Sequence, residues 1–480
     1  MTPESRGSYR EVINLAYPAV LTMLSWTAMW TVDTIFVGRV GTAEQGAVGF
    51  AGTLLWTAMC LVTGTITAVQ IFVAQHCGAG RKDRCGEILW QGIYLGLFAS
   101  VPIGVLGLFS GPAVRVLDVS PDLVAFAASY MKIRLLGAVF TFLYRAMEVF
   151  LQGTGDTRTP LKVGVFCNAC NVLLDYLLIF GKGGAPEMGV AGAALATVIA
   201  TAIQAGVYAY LLIGREGRRV FFPRRVSPLV PRSFFKLVRV GGPIGVQWLL
   251  DMGTWTIFTT TVARLGEIQA AAHQIAITIL HVSFMPGYGV SIATTTLVGQ
   301  YLGAGDKAAA KRSAYNSLRI VIGFMGTMGV VFYLFRTDLI RLFNPDPQVI
   351  AVGSTLLIYA AVFQMFDGTG MVSAGILRGA GDTRWPSAVS IGIAWGVFVP
   401  MVYLMIIRLK LGVTGGWQAA AVWIVVLGVT LFAGVRKRGW AERRLLHGGA
   451  DAGEGAPILS GPDAMTPAPP AAGRPDAEPA

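Results

Sequence analysis

Gln152-Gly-Thr-Gly-Asp-Thr-Arg-Thr-Pro160 recurs as Arg378-Gly-Ala-Gly-Asp-Thr-Arg-Trp-Pro386, with 152 set against 378, an offset of 226 residues. Working outward, Gln75-His-Cys-Gly-Ala-Gly-Arg-Lys82 returns as Gln300-Tyr-Leu-Gly-Ala-Gly-Asp-Lys307, with 75 against 300, an offset of 225. Val37-Gly-Arg-Val-Gly41 matches Val262-Ala-Arg-Leu-Gly266, and Pro18 matches Pro243, at that same offset of 225. A near-constant offset over four landmarks means two homologous halves. Each repeat sits at the end of a long apolar stretch, so each half is a bundle of membrane helices. Duplications of this kind build alternating-access carriers, in which two similar lobes rock about a site between them. The pattern points to a carrier and not to an enzyme.

Composition sets the solvent. A mean hydropathy of +0.61, with 54% hydrophobic and 13% charged residues, describes a chain that lives in a bilayer. Twelve spans of about 20 residues or more are expected, each sufficient for ~30 Å of hydrocarbon. They lie near 11–37, 47–76, 87–110, 122–150, 161–181 and 190–213, then 238–263, 272–300, 315–336, 352–377, 386–408 and 417–435. The expected fold is therefore all-α and polytopic, with two six-helix lobes around a central cavity. Residues 1–213 form the first lobe, 214–237 a basic linker, 238–440 the second lobe and 441–480 a tail. The tail holds six prolines between Gly461 and Ala480 and almost no large apolar residue, a composition that reads as disordered. The polar start, Met1 to Arg10, carries no cleavage site behind an apolar core, so the first span is expected to be retained.

The net charge of +12 does not call for nucleic acid, because its distribution is membrane-like. Basic residues cluster in alternate connections: Arg81, Lys82 and Arg84; Arg158 and Lys162; Arg215 to Arg239; Lys307, Lys311 and Arg312; Arg378 and Arg384; Arg436 to Arg438. The positive-inside bias puts those connections and both termini in the cytoplasm. Five cysteines and four scattered histidines fit neither a disulfide framework nor a zinc site, and Cys167-x-x-Cys170 in a membrane helix reads as packing. The Gly-x-Gly-Asp-Thr-Arg segments lack the Gly-Lys-Ser/Thr and preceding strand of a phosphate loop. They read as hinges or cytoplasmic latches. No cofactor is expected.

Ionisable groups at membrane depth are functional candidates, since each costs several kcal/mol unless it faces protein or water. Asp33, Glu148, Asp175, Asp251 and Asp367 qualify. Asp33 in the first span and Asp175 in the fifth both fall roughly 6–9 Å below the outer surface at 1.5 Å per residue, so they can share a cavity. Asn171 stands one turn before Asp175 on the same face, and Thr197 is the next polar group at reach. Asp251 and Asp367 belong near the midplane of the second half. Neither pair is duplicated: Trp26 and Thr141 stand where Asp251 and Asp367 would, and Phe258 and Met401 where Asp33 and Asp175 would. Glu148 has Arg145 three residues earlier, which reads as a neutral structural pair.

These residues resemble the multidrug and toxic compound extrusion (MATE) family over about residues 8–440. The carriers are Val32-Asp-Thr-Ile-Phe-Val-Gly-Arg-Val-Gly41, Asn171-x-x-x-Asp175 with Ile179-Phe-Gly181, Gly153-x-Gly-Asp-Thr-Arg158, Ala271-Ala-His-Gln274 and Leu377-Arg-Gly-x-Gly-Asp-Thr-Arg384. The resemblance implies a monomeric transporter in the bacterial plasma (inner) membrane that exports organic cations or amphipathic compounds against inward H+ or Na+. It implies a first-lobe cation site at Asp33, Asn171, Asp175 and Thr197, a bend at Pro18, and a second-lobe acidic pair at Asp251 and Asp367. Relatives often carry glutamate at the Asp251 position, which leaves the ligand of that site open. Protons are preferred to sodium, because two carboxyls at one depth repel each other unless one holds a proton. A flippase for lipid-linked precursors is the alternative, and it would need a basic cavity. Lys132, Arg134, Arg145 and Arg319 are the intramembrane bases expected. An acidic cavity would favour cation export and a basic one lipid phosphate.

Overall fold

The computed structural model describes residues 6–115, 121–184, 186–213 and 226–442, and these are almost wholly helical. The expected linker at 214–237 lies outside the described residues up to 225, and the tail lies outside them from 443.

Six spans make the first lobe: α1 (Tyr9–Gly38), α2 (Thr42–Gly78), α3 (Lys82–Leu108), α4 (Pro121–Leu136 continued by Ala138–Thr154), α5 (Arg158–Phe180) and α6 (Gly189–Ile213). Six more make the second: α7 (Pro231–Ala263), α8 (Glu267–Gly303), α9 (Lys307–Leu334), α10 (Pro347–Gly379), α11 (Arg384–Arg408) and α12 (Gly412–Lys437). Ten of them are long and apolar enough to cross a bilayer by themselves, and α4 joins as a pair bent by 50°. The twelfth, α7, is 33 residues long but carries Arg232, Lys236, Arg239 and Asp251, which dilute its hydropathy. Its neighbours are protein on several sides: it packs along α2 of the other lobe and against α11 of its own.

Local chemistry sets the ends. Asp306 caps α9 by accepting from the Ala309 amide at 2.9 Å, and Asp346 caps α10 ahead of Pro347. In the repeated hinge, Gly155 takes the left-handed conformation (φ 91°) that ends α4, as Gly381 does (φ 87°) after α10. Asp156 then accepts from the amides of Arg158 and Thr159 and starts α5. Pro160 and Pro386 thus sit in the first turn of the following helix and do not themselves end the preceding one. α1 runs unbroken through Pro18. Pro400 in α11 is flanked by two π-helical turns, Ala394–Phe398 and Tyr403–Arg408, where its missing N–H disturbs the ladder.

Between the lobes, α1 packs on α8 and α2 on α7, a crosswise exchange that follows the duplication. Lipid gives no hydrophobic drive for such contacts, so they rest on close approach and hydrogen bonds. Both are found at the repeat-bearing end. The Gln75 amide donates to the Gly379 carbonyl at 2.9 Å, and the Gln300 amide donates to the Gly153 carbonyl at 3.0 Å. Gln75 and Gln300 are repeat partners, as are Gly153 and Gly379. A Cβ on Gly78 would strike the Gln300 carbonyl, and one on Gly303 would strike that of Gln75. The hinge threonines obey the same symmetry within their own lobes: Thr157 Oγ1 donates to Leu15 O and Thr383 Oγ1 to Val240 O. The duplicated motifs grip each other across the pseudo-axis. The lobes are closed at this end.

Candidate substrate and coupling sites

α1, α5 and α6 bring the first-lobe residues inward. Asn171 and Asp175 are fully buried, and Asp33 and Thr197 retain 8% and 5% exposure. The carboxyls of Asp33 and Asp175 lie against each other. Two carboxylates have no donor between them, so that contact becomes a hydrogen bond only when one carries a proton. Without it, Asp33 Oδ1, both oxygens of Asp175 and both amide atoms of Asn171 are buried and unpartnered. Unpaired oxygens are costly in lipid, which makes this cluster the first-lobe candidate for binding a proton or a small cation. Thr197 is buried too, and its hydroxyl donates to Ala193 O at 2.9 Å.

Two residues that the sequence reading did not assign to this site face it from the first segment of α4. Tyr130 and Arg134, one turn apart, both interact electrostatically with Asp33 and Asp175. Arg134 Nε is buried without a hydrogen-bond partner. Only the depth of Arg134 was legible beforehand. Among the described residues no group of three or more His, Cys, Asp or Glu side chains could hold a metal.

The second-lobe acids have different surroundings. Asp251 accepts from the Gln247 amide at 3.3 Å, and the Gln247 oxygen accepts from Arg378 and Ser387 at 3.0 Å each. Asp367 is half-buried on α10. Among the described residues neither a hydrogen bond nor a charge interaction links it to Asp251. The structure does not bring these two acids together as a pair.

Above the closed end, a small recess of roughly 30 Å³ lies between the lobes, with Gln70, Arg145 and Gln152 on one wall and Trp248, Tyr288 and Arg378 on the other. No acid lines it. Arg378 is a correction to the sequence reading, which counted it among loop bases. The last turn of α10 instead turns its guanidinium inward onto Gln247. Arg145 pairs with Glu148 at 2.7 Å and lies over the Trp26 ring at 5.7 Å. Acids stand behind both lining arginines, Glu148 against Arg145 directly and Asp251 toward Arg378 through Gln247.

The MatE family model matches residues 18–177 and 243–404, one match on each half of the duplication. This chain belongs to the MatE family. A probable multidrug resistance protein NorM of Thermotoga maritima is 31% identical over 422 residues, covering 86% of this chain and 89% of its own. The multidrug resistance protein PmpM of Pseudomonas aeruginosa is 30% identical, covering 86% of each. Among solved structures, a MATE in the straight conformation superposes with TM-score 0.83 at 21% identity, over 90% of this chain and 96% of the other. An outward-facing multidrug resistance MATE transporter gives 0.81 at 20%, over 92% and 98%. The MatE chain is thus a polytopic membrane transporter of two six-helix lobes, and its twelve spans match the expected ones to within a few residues at most ends.

Proposed function

We infer that this MatE chain is an efflux carrier that exports amphipathic organic compounds by antiport, with protons as the coupling ion. Relatives named as multidrug resistance proteins support the export of small molecules. The observation that carries the coupling is the Asp33–Asp175 carboxyl pair, buried in contact and with unpaired oxygens. Contact between the two carboxyls supports a proton over sodium, because a single shared proton turns that contact into a hydrogen bond. Positive-inside bias places the glutamine clasp on the cytoplasmic side and both termini there too, so the described arrangement opens outward. One charge moving through 100 mV supplies about 2.3 kcal/mol, roughly a fifty-fold concentration ratio per ion.

The test is efflux of a cationic xanthene dye from everted vesicles under either a pH or a sodium gradient. A pH gradient alone should drive transport in the wild type, and Asp33→Asn should reduce it to background at equal expression. Transport that requires sodium, or that survives Asp33→Asn, would overturn the assignment.

A further inference from the structure

Each lobe's first helix starts from a segment anchored on the other lobe. The lead-in to α1 lies on α9: Asn316 Nδ2 donates to Gly7 O at 2.8 Å, Arg312 Nη1 to Arg6 O at 3.3 Å, and Arg319 Nη1 to Tyr9 Oη at 3.1 Å. The lead-in to α7 lies on α3: Gln91 Nε2 donates to Pro228 O at 3.0 Å, Tyr94 Oη to Ser227 O at 2.8 Å, and Ser233 Oγ to Glu87 Oε1 at 2.7 Å. The Val230 amide also donates back to Gln91 Oε1 at 3.1 Å. The anchoring residues are repeat partners throughout: 87 with 312, 91 with 316 and 94 with 319, each at the offset of 225. Their side chains differ at all three positions, yet each still holds the opposite lead-in.

The two straps are alike in place and unlike in chemistry. In the N-terminal strap, Tyr301 Oη and the Gly7 amide both donate to Glu11 Oε2, at 2.6 and 2.7 Å, and Arg6 reaches Asp306 at 3.5 Å. Gly7 is left-handed (φ 71°), and a Cβ there would meet Ala309 O at 2.7 Å, so glycine lets the strap lie flush on α9. The repeat partners of Glu11 and Tyr301 are Lys236 and His76, so the α7 strap has no such carboxylate hub. Hydrogen bonds to a buried carboxylate are strong, but Glu11 Oε1 is buried without a partner, which takes part of that strength back. The contact is therefore built to hold and also to release.

We propose that the two straps are paired locks on the clasped end, which must let go before the lobes part there. Because α1 and α7 each belong to the lobe opposite their anchor, separating the lobes at that end pulls each lead-in off its anchor helix. The N-terminal strap is the tighter lock, with Glu11 as its keeper and Tyr301 as the positioning residue that holds it. This goes beyond the coupling reading and requires only that the lobes separate at the clasped end.

The test is single-molecule fluorescence transfer in purified full-length transporter, with its five native cysteines replaced by alanine. Dyes are placed at Arg158→Cys and Arg384→Cys, exposed repeat partners in different lobes and outside both straps. The quantity read is the dwell time of the closed state, with no ion gradient imposed. Tyr301→Phe keeps the ring and removes the phenolic donor, and should shorten that dwell about tenfold, as a lost hydrogen bond to a carboxylate predicts. Deleting residues 2–7 should shorten it at least as much. Gln91→Ala on the other strap should shorten it about fivefold, and combining it with Tyr301→Phe should multiply the two effects. An unchanged dwell in both Tyr301→Phe and the shortened chain overturns the proposal, even if their melting temperatures fall, since the strap would then only anchor α1. A response to the N-terminal variants but not to Gln91→Ala overturns the pairing. Dye distances are read without a gradient, so failure of proton coupling leaves this result untouched.

Discussion

At equivalent depth in the two lobes the same scaffold holds opposite contents. The first lobe has Asp33, Asn171 and Asp175, buried and short of partners. The second has Phe258 at the Asp33 position, stacked edge-on to His273 at 4.8 Å and to Phe398 at 5.4 Å, with Phe398 against Trp423 at 4.6 Å. His273 accepts from the Trp417 indole at 3.1 Å, and its other ring nitrogen meets Thr259 at 3.3 Å, so even the polar member of that cluster is satisfied. One lobe keeps buried polar groups there, and the other fills the equivalent position with rings. At the repeat-bearing end, by contrast, the lobes stay alike, down to the two glutamines that clasp opposite glycine carbonyls. The comparison teaches a division: the contacts that join the lobes are duplicated, and the buried acids are not.

Breaking the aromatic plug should have the largest effect on stability. Phe258→Ala removes a ring that is 1% exposed, and truncations of this kind cost about 3 kcal/mol or more. A lowered melting temperature in detergent, with pH-driven efflux retained by the folded fraction, is the expected outcome. Loss of proton coupling without loss of stability would mean that the second lobe takes part in the ion chemistry.

The glutamine clasp sharpens the other side of the comparison with a smaller change. Gln75→Ala and Gln300→Ala each remove one buried hydrogen bond, about 1 kcal/mol of closure and roughly a fivefold rise in the open population. Hydrogen exchange at residues 70–78 and 296–303 should show the two variants alike within about twofold. Strongly unequal effects would mean that the symmetry is geometric and not energetic.

Much of this was legible beforehand, for definite reasons. Constant offsets of 225 and 226 between repeats gave the two lobes, and helical rise placed Asp33 and Asp175 at one depth. The crosswise clasp was not legible: a repeat says that Gln75 and Gln300 are equivalent, but not that each reaches the other's half. Arg378 was hidden by its place in a terminal motif, where basic residues ordinarily meet headgroups. Its inward turn depends on Gln247 and Ser387, one 131 residues before it and one on the next helix. Tyr130 is a half-apolar residue at helical spacing, which by sequence reads as core. The link from Asp251 through Gln247 to Arg378 was not legible either, because it joins α7 to the last turn of α10 across 131 residues of sequence.

The central claim is that the first-lobe carboxyl pair exchanges a proton for substrate. Purified transporter in weakly buffered detergent solution, mixed with the cationic xanthene dye, reports this directly as a change in bulk pH. The dye is one without a titratable acid of its own. The wild type should release protons in proportion to bound dye, and Asp33→Asn and Asp175→Asn should bind the dye with no release. Equal proton release from wild type and both variants would contradict the account.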